Sequence, residues 1–297
     1  MFFCFFLFTG EIGMTATAMD ALGDYLGHLT RRGRRPQTIR DYRISLTAIL
    51  AWMEERGMHT VPQEITEDDV VRIITEHHVS ENTMRFYIGN LSRFLKYNGN
   101  TVIQDMGLLW NKAPTPNVRW MDRVGFERIL REAHDPTDRM IVMLLAYAGL
   151  RRGEAAGLEV ADVLTDRIVV TGKGHGKGKT RIVPMCRKLA QEVDRYTAVR
   201  QEILGGKQES AFLVGTARRR IGTDALGKRV RDLARRAGVE VTPHSFRRYF
   251  ATEIWSRMPD KDITVLQALM GHASPDMTAR YIRRNEDAMC QAVDRLI

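Results

Sequence analysis

The sequence predicts a mainly α chain carrying one small β-hairpin, an α+β fold in two domains. Three observations predict it: apolar residues recur at helical spacing through the first third and again towards the end, one stretch alternates β-branched runs around a Gly/Lys-rich turn, and a proline-bearing segment without period separates the halves. At 297 residues with 44% hydrophobic content, the chain can bury a core in each of two domains.

Leu22, Tyr25, Leu26 and Leu29 mark a first amphipathic helix, and Tyr42, Leu46, Ile49, Leu50 and Met53 a second. Thr66 can cap a third helix bearing Val70, Val71, Ile73 and Ile74. Ser80 can cap a fourth, with Met84, Tyr87, Ile88, Leu91, Phe94 and Leu95 on one face. Each apolar stripe needs a partner, so the four helices are expected to form one bundle over 17–110. "NKAPTPNVRW" then places a linker at 111–119, and 120–297 form the second domain. There, "MIVMLLAYAGL" reads as a buried helix around 138–148, and "DRIVVTGKGHGKGKTRIVP" as the hairpin. Helices are further expected at about 223–237, 243–257, 263–270 and 275–294.

Forty-five Lys and Arg against 36 Asp and Glu leave a net charge of +9, which points to a polyanionic partner. "RRGRRPQTIRDYR" sets Arg31, Arg32, Arg34, Arg35, Arg40 and Arg43 against the single acid Asp41, a pattern suited to phosphate contact. Cys4, Cys186 and Cys290 are scattered with no zinc-type spacing, which suits a reducing cytoplasm and predicts neither disulfide nor metal. The opening "MFFCFFLFTG" is far shorter than the roughly 20 residues that span a bilayer and lacks a basic flank. Residues 1–16 are therefore read as a disordered or spurious N-terminal extension, with Met14 or Met19 expected as the true initiator, and no membrane segment is expected.

"TPHSFRRYFAT" collects His244 and Arg247 in the first turn of a helix, whose own dipole is already positive there. Such a concentration is unfavourable unless an anion binds. Thr242 suits the cap and Pro243 the first helical position, leaving Phe246, Phe250 and Ile254 to face the core. Gly271 closes the preceding "DITVLQALMG" helix as an αL residue and sets His272 in a defined loop before "SPDMTARYIRR", which bears Tyr281. Upstream, Arg151 follows Gly149 at the end of the buried helix, three residues before Glu154, an acid placed to hold its guanidinium.

"AGLRRGEAAGL", "GKGHGKGKTRIVP", "HSFRRYFAT" and "LMGHASPDMTARYIRR" stand in the order, and near the spacing, of the tyrosine recombinase (phage integrase) family, which the chain resembles over almost its whole length. The bundle with "TIRDYRISLTAIL" resembles the family's SAM-like core-binding domain, and 120–297 its catalytic domain; the two-domain plan is Xer-like. The resemblance implies Arg151 and Arg247 as phosphate clamp, Tyr281 as nucleophile, Lys173 as the acid that protonates the leaving group, His244 as acid/base and His272 as a donor to the phosphoryl oxygens. It further implies double-stranded DNA as partner, a tetramer on two DNA sites, and chemistry without metal or cofactor. Two departures stand out: overlapping GKG elements leave Lys177 as an alternative to Lys173, and Arg248 occupies a position that is often His in the family.

The residue types fit the chemistry. A phosphodiester repels nucleophiles and gathers further charge in its transition state, which guanidiniums offset. Tyrosine preserves the energy of the broken strand because a phenol of pKa about 10 leaves far more readily than a sugar alcohol. The same constellation serves type IB topoisomerases, and a DNA-binding regulator could keep the fold without catalysis. Met289, Ala292, Val293 and Leu296, an apolar stripe after Tyr281, favour the oligomeric recombinase. Lys228, Arg229, Arg231, Arg235 and Arg236 of "DALGKRVRDLARRAG" are expected to touch DNA.

Overall fold

A computed structural model describes residues 16–110, 120–172 and 180–282, which pack as two compact units that divide between Pro116 and Asn117 of the sequence. The first unit is built from α1 (Ala16–Arg31), α2 (Pro36–Glu54), α3 (Glu67–Glu76), α4 (Glu81–Tyr97) and the single turn α5 (Val102–Asp105). Its core contains Leu22, Tyr25, Leu26, Leu46, Ile49, Leu50, Ile73, Leu91 and Phe94, so the 3.6-residue stripes of the sequence do converge. Val71 departs from its neighbours and is 44% exposed. Both expected caps form. Thr66 and Asp69 exchange side-chain and backbone bonds in a capping box, and the Thr83 amide donates to the Ser80 hydroxyl at 3.2 Å. Arg31, Arg32, Arg34, Arg35, Arg40 and Arg43 are all exposed.

The second unit wraps helices around α7 (Pro136–Tyr147), in which Met140 through Leu145 are completely buried. Each such aliphatic side chain contributes about 1.5–3 kcal/mol on leaving water, and α7 lies within the unit's main hydrophobic cluster. Asp135 caps it, accepting from the Asp138 amide at 2.9 Å, and Pro136 occupies the first turn, where no amide bond is lost. Around it lie α6 (Arg123–Glu132), the short α8 (Arg152–Ala156), α9 (Arg187–Leu204), α10 (Thr223–Arg236), α11 (Pro243–Arg257), α12 (Ile263–Met270) and α13 (Pro275–Ala279). Helices α6 and α9 were not foreseen from the pattern. The strongly charged "RKLAQEVDRYTAVRQEIL" of α9 buries only a narrow stripe including Leu189, Val193 and Tyr196.

The hairpin pairs β1 (Arg167–Thr171) with β2 (Thr180–Pro184), antiparallel, in the register Val169 opposite Ile182 and Thr171 opposite Thr180. The helix expected over 275–294 is corrected where the structure describes it, up to Ile282, while 283–294 lie outside the described residues. It stops at Ala279, because the Tyr281 and Ile282 amides turn back to Thr278 and Ala279, three residues behind, instead of continuing the i→i−4 ladder. The Thr252 hydroxyl holds the Tyr281 carbonyl at 3.4 Å. The apolar stripe at Met289–Leu296 lies outside the described residues.

Candidate active site

The chain turns sharply where α7 ends. Gly149 adopts φ +59°, and a Cβ there would stand 2.3 Å from Phe250, so only glycine allows α7 and α11 this approach. That turn delivers Arg151 to the N-cap of α8. The Arg151 amide donates to Glu154 Oε2 at 2.8 Å, its Nη1 donates to Oε1 at 2.7 Å, and its Nη2 reaches the Gly271 carbonyl at 3.3 Å. Glu154, three residues on, therefore holds Arg151 as the spacing suggested.

Sequence reasoning missed a second guanidinium on Glu154. Arg181 of β2 donates to the same carboxylate through Nη1 at 3.0 Å and Nη2 at 2.9 Å, and through Nε to the Leu269 carbonyl at 2.8 Å. Its side chain is only 9% exposed. The signal was present as alternation: Arg181 shares the inward register with buried Val183, while Ile182 is 54% exposed. Burial pushes the Glu154 carboxyl up, but the hydrogen bonds and charge of Arg181, then those of Arg151, outweigh it and hold the pKa at about 2.

Arg247 is 1% exposed, with its guanidinium donating to the carbonyls of Gly149 and Met270 at the ends of α7 and α12. Both carbonyls belong to helix C-termini, whose dipoles attract a cation. Burial, then the charge of Arg151, lowers its pKa to about 10, so it stays charged at neutral pH. Its Nε is buried without a partner among the described residues. Among the described residues, the hydrogen-bond partners of Arg151, Arg181 and Arg247 include only one carboxylate, Glu154, which leaves two positive charges in excess there. A site of this kind is completed by an anion.

Two histidines and a tyrosine border that charge. His244, in the first turn of α11, lies with Nε2 2.8 Å from the Tyr281 hydroxyl, and the two rings meet edge-on at 5.1 Å. Desolvation of its ring, then the charges of Arg248, Arg247 and Arg151, lower its pKa below the ordinary 6.5. His244 is therefore neutral at pH 7, and Nε2 can accept the phenol proton. His272 follows Gly271, which caps α12 at φ +59°, and its Nδ1 meets the Thr278 hydroxyl at 3.0 Å. Burial, followed by Arg247 and Arg151, holds its pKa at about 4. Its Nε2 is buried with no partner among the described residues. The Tyr281 ring lies 4.7 Å from that of His272, and the Arg247 guanidinium is 5.8 Å from the Tyr281 ring centre.

Arg151, His244, Arg247, His272 and Tyr281 thus come together, although Tyr281 follows Arg151 by 130 positions. Lys173 and its alternative Lys177 lie outside the described residues. In α10, Arg229 bonds Asp138 at 2.7 Å, Arg235 bonds Asp232, and Arg236 lies 3.7 Å from Glu132, so three of the five cations have acidic partners. Among the described residues no group of three or more His, Cys, Asp or Glu could hold a metal ion, and no helix is long and apolar enough to cross a membrane.

The sequence profile of the phage integrase family matches residues 119–288, more than half of the chain. The chain belongs to the phage integrase family. It is a tyrosine recombinase of the Xer type, as the order of its motifs implied. The tyrosine recombinase XerA of Thermococcus kodakarensis is 27% identical over 285 residues, covering 93% of this chain and 95% of that relative. The crystal structure of XerA recombinase covers 94% of this chain and 98% of its own at 26% identity, with a TM-score of 0.54. A lambda integrase dimer bound to a COC′ core site shares the fold at 17% identity and TM-score 0.69, over 89% of this chain and 95% of that one. Membership fixes the family; the distances above describe what this member has assembled.

Proposed function

We propose that this site-specific recombinase cuts and rejoins duplex DNA through a 3′-phosphotyrosyl bond to Tyr281. The observation that carries the reading is the Tyr281 hydroxyl 2.8 Å from neutral His244, beside an arginine cluster whose positive charge exceeds that of its one carboxylate partner among the described residues. A scissile phosphate would accept bonds from Arg151, Arg247 and the Nε2 of His272. His272 Nδ1 meets the Thr278 hydroxyl at 3.0 Å, and in the tautomer in which that hydroxyl donates to Nδ1 the ring proton sits on Nε2, where a phosphoryl oxygen can accept it.

In the forward step the Tyr281 oxygen bonds to phosphorus while the bond from phosphorus to the 5′ oxygen breaks. The phenol proton passes to His244 Nε2, and the departing 5′ oxygen takes a proton from Lys173, with Lys177 the second candidate. The arginines offset the added charge of the transition state, each charge-assisted bond contributing about 1.5–3 kcal/mol. Rejoining reverses every transfer, with a 5′ hydroxyl from the other duplex as nucleophile.

Around this step, residues 17–110 serve as the core-binding domain and 120–297 as the catalytic domain, joined by 111–119. The exposed arginines of residues 31–43 track backbone phosphate, and four copies assemble on two sites. DNA-bound integrase dimers and a tetramer on a Holliday junction, in the fold relatives, support that assembly. The test selects bound duplexes from random sequence and then offers a nicked version of the selected site. Native protein is expected to form a covalent complex and exchange strands between two duplexes, and Tyr281→Phe to do neither. Relaxation of supercoils without exchange between duplexes would overturn the recombinase reading.

A further inference from the structure

Glu154 accepts four hydrogen bonds, from the amide and guanidinium of Arg151 and twice from Arg181, yet only Arg151 of the pair is placed to meet a phosphate. If Arg151 and Glu154 stood alone, buried carboxylate and guanidinium would cancel, and the clamp would offer a scissile phosphate little net charge. Arg181 changes that balance. Its two bonds to Glu154 make the carboxylate common to two cations, so the trio keeps one positive charge in excess.

The same side chain also fixes geometry. Its Nε holds the Leu269 carbonyl in the last turn of α12, and its stem passes so close to Gly271 that a Cβ there would stand 2.9 Å from Arg181 Cδ. Gly271 in turn accepts from Arg151 and precedes His272. One residue of the hairpin therefore ties together the acid that aims Arg151 and the loop that presents His272. With only 9% of its side chain exposed, it lies behind these groups, not against DNA.

We infer that Arg181 is a positioning residue for strand cleavage: by sharing Glu154 it leaves Arg151 electrostatically free to grip the scissile phosphate, and by holding the end of α12 it sets the His272 loop. The inference rests on the proposed role of Arg151. It predicts a defect proportional to the charge on the phosphate, which a general loss of packing would not produce.

Covalent-complex formation is measured on the nicked site with an ordinary scissile phosphodiester and with a methylphosphonate, whose non-bridging methyl group removes the charge. The two rates are compared as a ratio within one preparation, so the folded fraction cancels. In Arg181→Met the ratio of diester to methylphosphonate rate is expected to fall about tenfold or more, and in Arg181→Lys to stay within about threefold of native. Arg181→Gln, which keeps polar contact with Glu154, gives the same reading if the methionine variant does not fold. A ratio in the neutral variants equal to that of native protein would overturn the inference, whether both rates drop or neither does. Absence of any covalent complex with native protein would instead overturn the cleavage mechanism itself.

Discussion

The chain carries two concentrations of arginine that the solvent treats oppositely. Arg31, Arg32, Arg34, Arg35, Arg40 and Arg43 stand exposed on the first unit, whereas Arg181 and Arg247 of the second unit are buried and Arg151 is half-buried. In water a charge attracts a phosphate weakly and at a distance, with salt screening it. Inside the second unit the same charge is held in one geometry by the carbonyls of Gly149, Met270, Leu269 and Gly271 and by Glu154. The first arrangement suits finding and tracking DNA; the second suits stabilising charge at one phosphorus atom.

The contrast can be broken most severely at Arg247. Arg247→Gln removes a charge from the buried cluster, and covalent-complex formation at saturating DNA is expected to slow by about a hundred- to a thousandfold. Gel-shift affinity should change far less, so equal losses in binding and cleavage would erase the distinction. Next comes the glycine that admits the cluster. Gly149→Ala combines an αL penalty with the clash against Phe250, and chemical denaturation should show a loss of about 2–4 kcal/mol.

Acidity sharpens the comparison further, because burial and then the neighbouring arginines lower the pKa of both site histidines, His244 and His272. His244 must be neutral to take the phenol proton, and its pKa lies below 6.5. Cleavage rate is therefore expected to be level from pH 8 to 6.5 and to decline only under that value. For His272 the folded pKa of about 4 lies beneath the unfolded 6.5, so its contribution to stability is complete above 6.5 and disappears as pH falls towards 4. Thermal melts across that window in native protein and His272→Gln should converge at the acid end. The smallest effect belongs to the exposed run. Arg40→Gln with Arg43→Gln should weaken DNA binding severalfold and flatten the salt dependence by about two units of slope, leaving the cleavage rate at saturating DNA unchanged.

How much of this was legible beforehand varies with the physics behind each feature. Helices with one-sided stripes, such as that of Leu46, Ile49, Leu50 and Met53, could be read because burial imposes a period. Arg151, His244, Arg247, His272 and Tyr281 were legible as family motifs and also as cations in electrostatically unfavourable places. Arg181 was not, since a strand arginine looks like a solvated edge until Glu154 is seen to face it from 27 positions away. The stop of α13 at Ala279 was likewise hidden: "PDMTARYIRR" has good helical propensity, and only the tertiary hold of Thr252 and His244 on Tyr281 turns the chain. The pairing of Arg229 with Asp138 escaped notice for the same reason, because both residues lie on helices whose charges could equally have faced water.

The central claim is that the phenol of Tyr281 becomes the link between protein and DNA. Digesting the covalent complex of native chain with the nicked site, and locating the modified peptide by mass spectrometry, tests it most directly. A nucleotide joined through its 3′ phosphate to Tyr281 is the predicted product. A DNA adduct on any other side chain, or attachment through a 5′ phosphate, would contradict the account.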